Sequence, residues 1–169
     1  MRRVLDWTYA SAAALAAVFM VGLLVMVMLS VISRELGFNV RGTDAYAGYL
    51  MAGAGFLALA HTFKKGEHIR VTLILNAVSA PLRRVLEIWS LGFASLLSAA
   101  MAYYSCRLAW QSLDFNDIST GVDATPLWIP QLAMALGTTV FAVALVDEFV
   151  LEVLRKRQQT ASGEMLRNE

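Results

Sequence analysis

Charge is missing from four long stretches of this chain, and that absence limits what it can become. Residues 7–33, 45–63, 88–106 and 124–146 contain no Asp, Glu, Lys or Arg. They are 27, 19, 19 and 23 residues long and make up 88 of the 169 residues. A helix needs about 20 mainly apolar residues to cross a bilayer. The whole chain is 16% charged, where a soluble domain carries about 25%. Four such stretches exclude a soluble globular domain, a disordered chain and a disulfide scaffold. Cys106 is the single cysteine, so no intrachain disulfide forms. A net charge of +1 gives no basis for nucleic-acid binding.

The four stretches are apolar all round rather than alternating, which makes them helices and not barrel strands. The expected fold is therefore an all-α integral membrane protein, with spans at about 7–33, 45–63, 88–106 and 126–146. Met1-Arg2-Arg3 before an apolar run resembles a signal peptide. The run continues to Ser33, however, well past an h-region of about 7–15 residues, so the first helix is expected to stay. Lys and Arg set the orientation. Arg2, Arg3, Lys64, Lys65, Arg70, Arg83, Arg84, Arg155, Lys156, Arg157 and Arg167 fall on one side. Only Arg34, Arg41 and Arg107 fall on the other. Both termini are thus expected in the cytoplasm, with residues 1–155 as the transmembrane domain and 156–169 as a polar cytoplasmic tail.

Residues 71–82 are uncharged but too short to cross. Val71, Ile74, Leu75, Val78, Leu82, Val85 and Leu86 recur at helical spacing, with Thr72, Asn76, Ser79 and Arg83 opposite. This pattern predicts an amphipathic helix over about 71–80 lying in the interface. Pro81 lacks an N–H and should end it and open the third span. Small residues recur at four-residue spacing in span three: Ser90, Ala94, Ser98 and Ala102. Span two is rich in Ala and Gly, and span four offers Ala133 and Gly137. Such residues let helices approach closely in lipid, either within this chain or against another subunit.

The spans hold no carboxylate for a proton relay, which argues against an autonomous proton-coupled exporter. His61 and His68 lie near one end of span two and face no histidine elsewhere, so an intrachain bis-His haem site is not expected. Asp114, Asp117 and Asp123 lack calcium-loop spacing and read as an acidic outer loop. That loop is also a candidate for docking a partner. Arg34 closes span one, either as a snorkelling interfacial arginine beside Glu35 or as an anchor for a lipid phosphate or a partner carboxylate. Gly66 suits a helix C-terminus, and Lys64 and Lys65 suit its negative dipole end.

The stretch Gly66-Glu67-His68-Ile69-Arg70-Val71, straight after a small-residue-rich second span, resembles the signature of the small membrane subunit of tripartite ATP-independent periplasmic (TRAP) transporters, the DctQ-like family. Arg34 at the end of span one agrees, as does Pro126-Leu127-Trp128-Ile129-Pro130-Gln131 at the start of span four, with Gly137 beyond it. The resemblance covers roughly residues 5–155. It implies a non-enzymatic scaffold subunit of a sodium-gradient-driven importer of organic acids in the bacterial inner membrane. Its partners would be a large membrane subunit, a periplasmic substrate-binding protein and phospholipid. Sodium ions would sit in the large subunit, with no cofactor on this chain. Arg34, Gly66, His68, Arg70, Arg83, Arg84, Trp128, Asp114, Asp117 and Asp123 are the candidate partner or lipid contacts. The alternatives are the membrane anchor of a respiratory redox complex, with haem ligands from a partner, and an independent small exporter.

Overall fold

A computed structural model describes residues 2–38, 40–65, 79–121 and 123–154. They form four helices: α1 Arg2–Glu35, α2 Thr43–Lys64, α3 Ala80–Asp114 and α4 Trp128–Val153. No strand occurs among the described residues; Ile118 and Pro126 make one isolated antiparallel bridge. The core of each helix matches an uncharged stretch, but the helices overrun the stretches. The third begins at Ala80, with Ser79 as its N-cap and Pro81 in its first turn. It therefore takes in Arg83, Arg84 and Glu87, and it runs on to Asp114 rather than stopping near 106. Charge limits what enters lipid and not where a backbone stops coiling. The predicted interfacial helix over 71–80 falls almost wholly outside the described residues.

α1, α3 and α4 are long and apolar enough to cross a membrane, over Leu5–Glu35, Pro81–Asp114 and Trp128–Val153. α2 has 22 residues and spans about 33 Å at about 1.5 Å per residue. It is the shortest of the four and is not among the described helices that are both long and apolar enough to cross.

Two helix ends at the Arg34 end of the molecule are built alike. At the end of α1, Phe38 N–H donates to the Ser33 carbonyl at 3.0 Å and Gly37 N–H to that of Arg34 at 3.4 Å. At the end of α3, Asp117 N–H donates to Ser112 at 3.0 Å and Asn116 N–H to Leu113 at 3.4 Å. Each is a Schellman closure, which needs one left-handed residue. Gly37 (φ 73°) and Asn116 (φ 53°) supply it, and both are residue types that tolerate that region.

The helices pack side by side in the order α1–α2–α4–α3, and α1 only grazes α4. α1 runs antiparallel to α2, as the pairs Phe19–Gly53 and Gly22–Leu50 show. α2 runs parallel to α4, from Gly53 beside Ala133 to Lys64 beside Asp147. Close approach between α2 and α4 rests on Gly137, where a Cβ would stand 2.5 Å from the Phe56 carbonyl. The buried seam of α3 is Ser95, Ser98, Ala102, Ser105, Ala109 and Ser112. Its alternating steps of three and four keep one face toward α4. Ser90, expected on that face from strict four-residue spacing, is exposed. Four residues overshoot a 3.6-residue turn, so a strict step of four winds away from the contact. Two of the seam hydroxyls bond inside their own helix: Ser95 donates to Gly92 at 2.8 Å and Ser98 to Ser95 at 3.0 Å. They therefore stay small without leaving an unpaired O–H in lipid.

Candidate functional site

Polar groups gather at the two ends of the helices. At the Lys64 end, the last residue of α2 reaches α4. Its Nζ donates to Asp147 Oδ2 and, at 3.1 Å, to Glu148 Oε2. The same ammonium lies 5.5 Å from the centre of the Tyr9 ring of α1. Tyr9 is buried with Ala60 and Ala144, and Leu5, Phe63, Val140 and Phe141 pack around them. One cation thus ties three helices together through two carboxylates and an aromatic face. The sequence suggested Lys64 as a partner for the helix dipole; a pairing across 83 residues with Asp147 leaves no local spacing signal. Arg83, a candidate partner contact, is occupied locally: its Nε donates to Glu87 Oε1 at 3.1 Å. Arg84 beside it is half-buried. Gly66, His68 and Arg70 lie outside the described residues.

At the Arg34 end, the connection between α3 and α4 is held against α2. Ser119 N–H donates to the Thr125 carbonyl at 2.8 Å and Leu127 N–H to that of Asp117 at 3.0 Å, so residues 117–119 lie against residues 125–127. Two tyrosines of α2 then pin them. Tyr49 Oη donates to Asp123 Oδ2 at 3.1 Å and lies 3.0 Å from Ser119 Oγ. Thr125 Oγ1 lies 3.2 Å from Tyr46 Oη. Hydrogen bonds from the Thr125, Ser119 and Tyr49 side chains, with one to Asp123's own backbone, hold the Asp123 carboxyl below its ordinary value. A group lowered in this way contributes stability above its unfolded pKa, lost only as pH falls through the folded one. The Tyr46 and Tyr49 rings meet edge to face at 6.2 Å. The expected acidic patch is therefore divided. Asp123 faces inward to Tyr49, whereas Asp114, at the end of α3, and Asp117 are exposed. Trp128 is half-buried as the first residue of α4.

Arg34 opens onto a groove of about 770 Å³ at the junction of α1 and α2, and Arg41 lines the same groove. Its polar wall includes Ser30, whose hydroxyl donates to Asp44 Oδ1 at 3.3 Å. A second, apolar groove between α1 and α2 is lined by small residues including Ala16, Ala54 and Ala58, with His61 at its edge. Among the described residues no group of three His, Cys, Asp or Glu is placed to hold a metal ion.

A family model described as "Tripartite ATP-independent periplasmic transporters, DctQ component" matches residues 23–155. No curated protein matches the chain.

Proposed function

We propose, because the chain belongs to the DctQ component family of tripartite ATP-independent periplasmic transporters, that it is the scaffold subunit of a sodium-gradient-driven importer of organic acids. That family places it in a three-part system with a large membrane subunit and a binding protein. In this reading the chain crosses the bacterial inner membrane four times, keeps both termini in the cytoplasm and binds neither solute nor sodium. A periplasmic protein captures the solute, and the large subunit moves it. The observation that carries the scaffold role is the distribution of charge. The four stretches that would lie in lipid hold no Asp, Glu, Lys or Arg, the residues that usually mark a substrate or ion path through a membrane. The described ion pairs, Lys64 with Asp147 and Glu148 and Arg83 with Glu87, involve only residues outside those stretches.

Reconstitution tests this. Liposomes holding the large subunit and this chain, with the binding protein outside, should take up an organic acid under an inward sodium gradient. Omitting this chain should abolish uptake, and this chain alone should give none. Substrate-dependent sodium entry through the lone chain would overturn the scaffold role.

A further inference from the structure

We propose that the groove at the α1–α2 junction is a binding site for a glycerophospholipid, held by its phosphate between Arg34 and Arg41. Both arginines line the groove. Among the described residues neither makes an ion pair, since the ion pairs involve Lys64 and Arg83. Asp44, the acidic residue in the lining, accepts from Ser30, so the lining carries a surplus of one positive charge. Guanidinium forks match the oxygens of a phosphate and are more weakly hydrated than an ammonium, which suits a site at the edge of lipid. The groove is open on one side, and its volume of about 770 Å³ leaves room for a headgroup.

The surroundings favour a lipid over a free anion. Phe38, 47% exposed, is part of the lining, and the turn of α1 just before Arg34 exposes Val31 and Ile32 at 52% and 44%. An amphiphile satisfies both parts at once, with its phosphate on the arginines and its acyl chains along the last turns of α1. Arg34 ends an apolar helix long enough to cross the membrane, which sets the groove at headgroup depth. This inference uses the membrane placement of α1 and is independent of the transport reading.

The test is lipid retention by the full-length chain, purified in detergent and read by native mass spectrometry. Three probes are compared: phosphatidylglycerol, diacylglycerol with the same chains, and glycerol phosphate. The wild type should retain phosphatidylglycerol and neither of the others. The double variant R34Q/R41Q should lose retention about tenfold or more, the scale of one charge-assisted hydrogen bond. R34K/R41K, which keeps the charge and loses the fork, should fall between. Unchanged helical circular dichroism and a monodisperse elution establish that the variants are folded. Equal retention of diacylglycerol, or phosphatidylglycerol retention unchanged in R34Q/R41Q, would overturn the site. Retention of glycerol phosphate as strong as that of the lipid would assign it to a free phosphate instead. If R34Q/R41Q released the large subunit while keeping phosphatidylglycerol, the arginines would belong to a protein contact and the proposal would fail.

Discussion

Lys64 joins three helices through two carboxylates and an aromatic ring. A cation at the end of an apolar helix ordinarily reaches for water or phosphate, and an exposed ion pair contributes about 0–1 kcal/mol. A fully buried pair that loses one partner costs about 3–5 kcal/mol, because the other charge is stranded. Lys64, Asp147 and Glu148 are 23%, 29% and 18% exposed, between those limits. Lys64→Met should therefore destabilise the fold by about 1–3 kcal/mol, seen as a lower thermal midpoint in detergent. The loss of the Lys64 charge beside Asp147 and Glu148 would cause most of that effect. The triple variant K64M/D147N/E148Q should accordingly regain much of the midpoint. A K64M protein that melts with the wild type would show the cluster to be screened by water. The sequence marked Lys64 as basic and terminal and went no further, since its partners are brought near only by the parallel packing of α2 on α4.

Helix packing shows which parts of an element can be read from a sequence. The uncharged stretches located all four helices, and Pro81 marked the start of α3, because solvation and the missing proline N–H act locally. Packing faces were harder. Alanine, glycine and serine are frequent on every side of α2 and α3, so composition announces close packing without choosing a direction. Strict four-residue spacing included Ser98 and Ala102 correctly and Ser90 wrongly, while the seam itself alternates by three and four. Glycines give a sharper test. A Cβ on Gly137 would meet the Phe56 backbone, which cannot swing aside as a side-chain tip can. Gly137→Ala should therefore cost about 1–3 kcal/mol by forcing α2 and α4 apart. A Cβ on Gly48 or Gly55 meets nothing within 4 Å. Gly48→Ala and Gly55→Ala should leave the midpoint unchanged or raise it, since Ala favours a helix by up to about 1 kcal/mol. Equal effects at the three positions would mean that the α2–α4 contact carries no stability.

The arrangement of the whole molecule was not legible, because the order α1–α2–α4–α3 is set by which small-residue faces meet and not by chain order. That order also bears on how often the chain crosses the membrane. α2 is the shortest helix and falls short of the apolar length that marks the other three as spans, so on that ground alone it could lie along a surface. It is instead flanked on both sides by helices long and apolar enough to cross. Its contacts with α4 run from Gly53 beside Ala133 to Lys64 beside Asp147, along much of its length and parallel to that helix. A helix held lengthwise between two such helices should cross with them. Glycine and tyrosine residues of α2 are used by that packing: Gly53 receives Phe19, and Tyr46 and Tyr49 hold the 117–127 segment. The basic residues then give a definite expectation, with residue 79 and the C-terminal tail in the cytoplasm and residue 120 outside. A reporter active only in the periplasm should be silent when fused after Ser79 or Arg157 and active when fused after Thr120. If α2 lay on the surface, residue 79 would share the side of the α1–α2 turn, and the fusion after Ser79 would be active. The Arg157 fusion would then be active as well, because α3 and α4 cross in opposite directions. Activity at those two positions would remove the fourth crossing and reverse the side assigned to the tail.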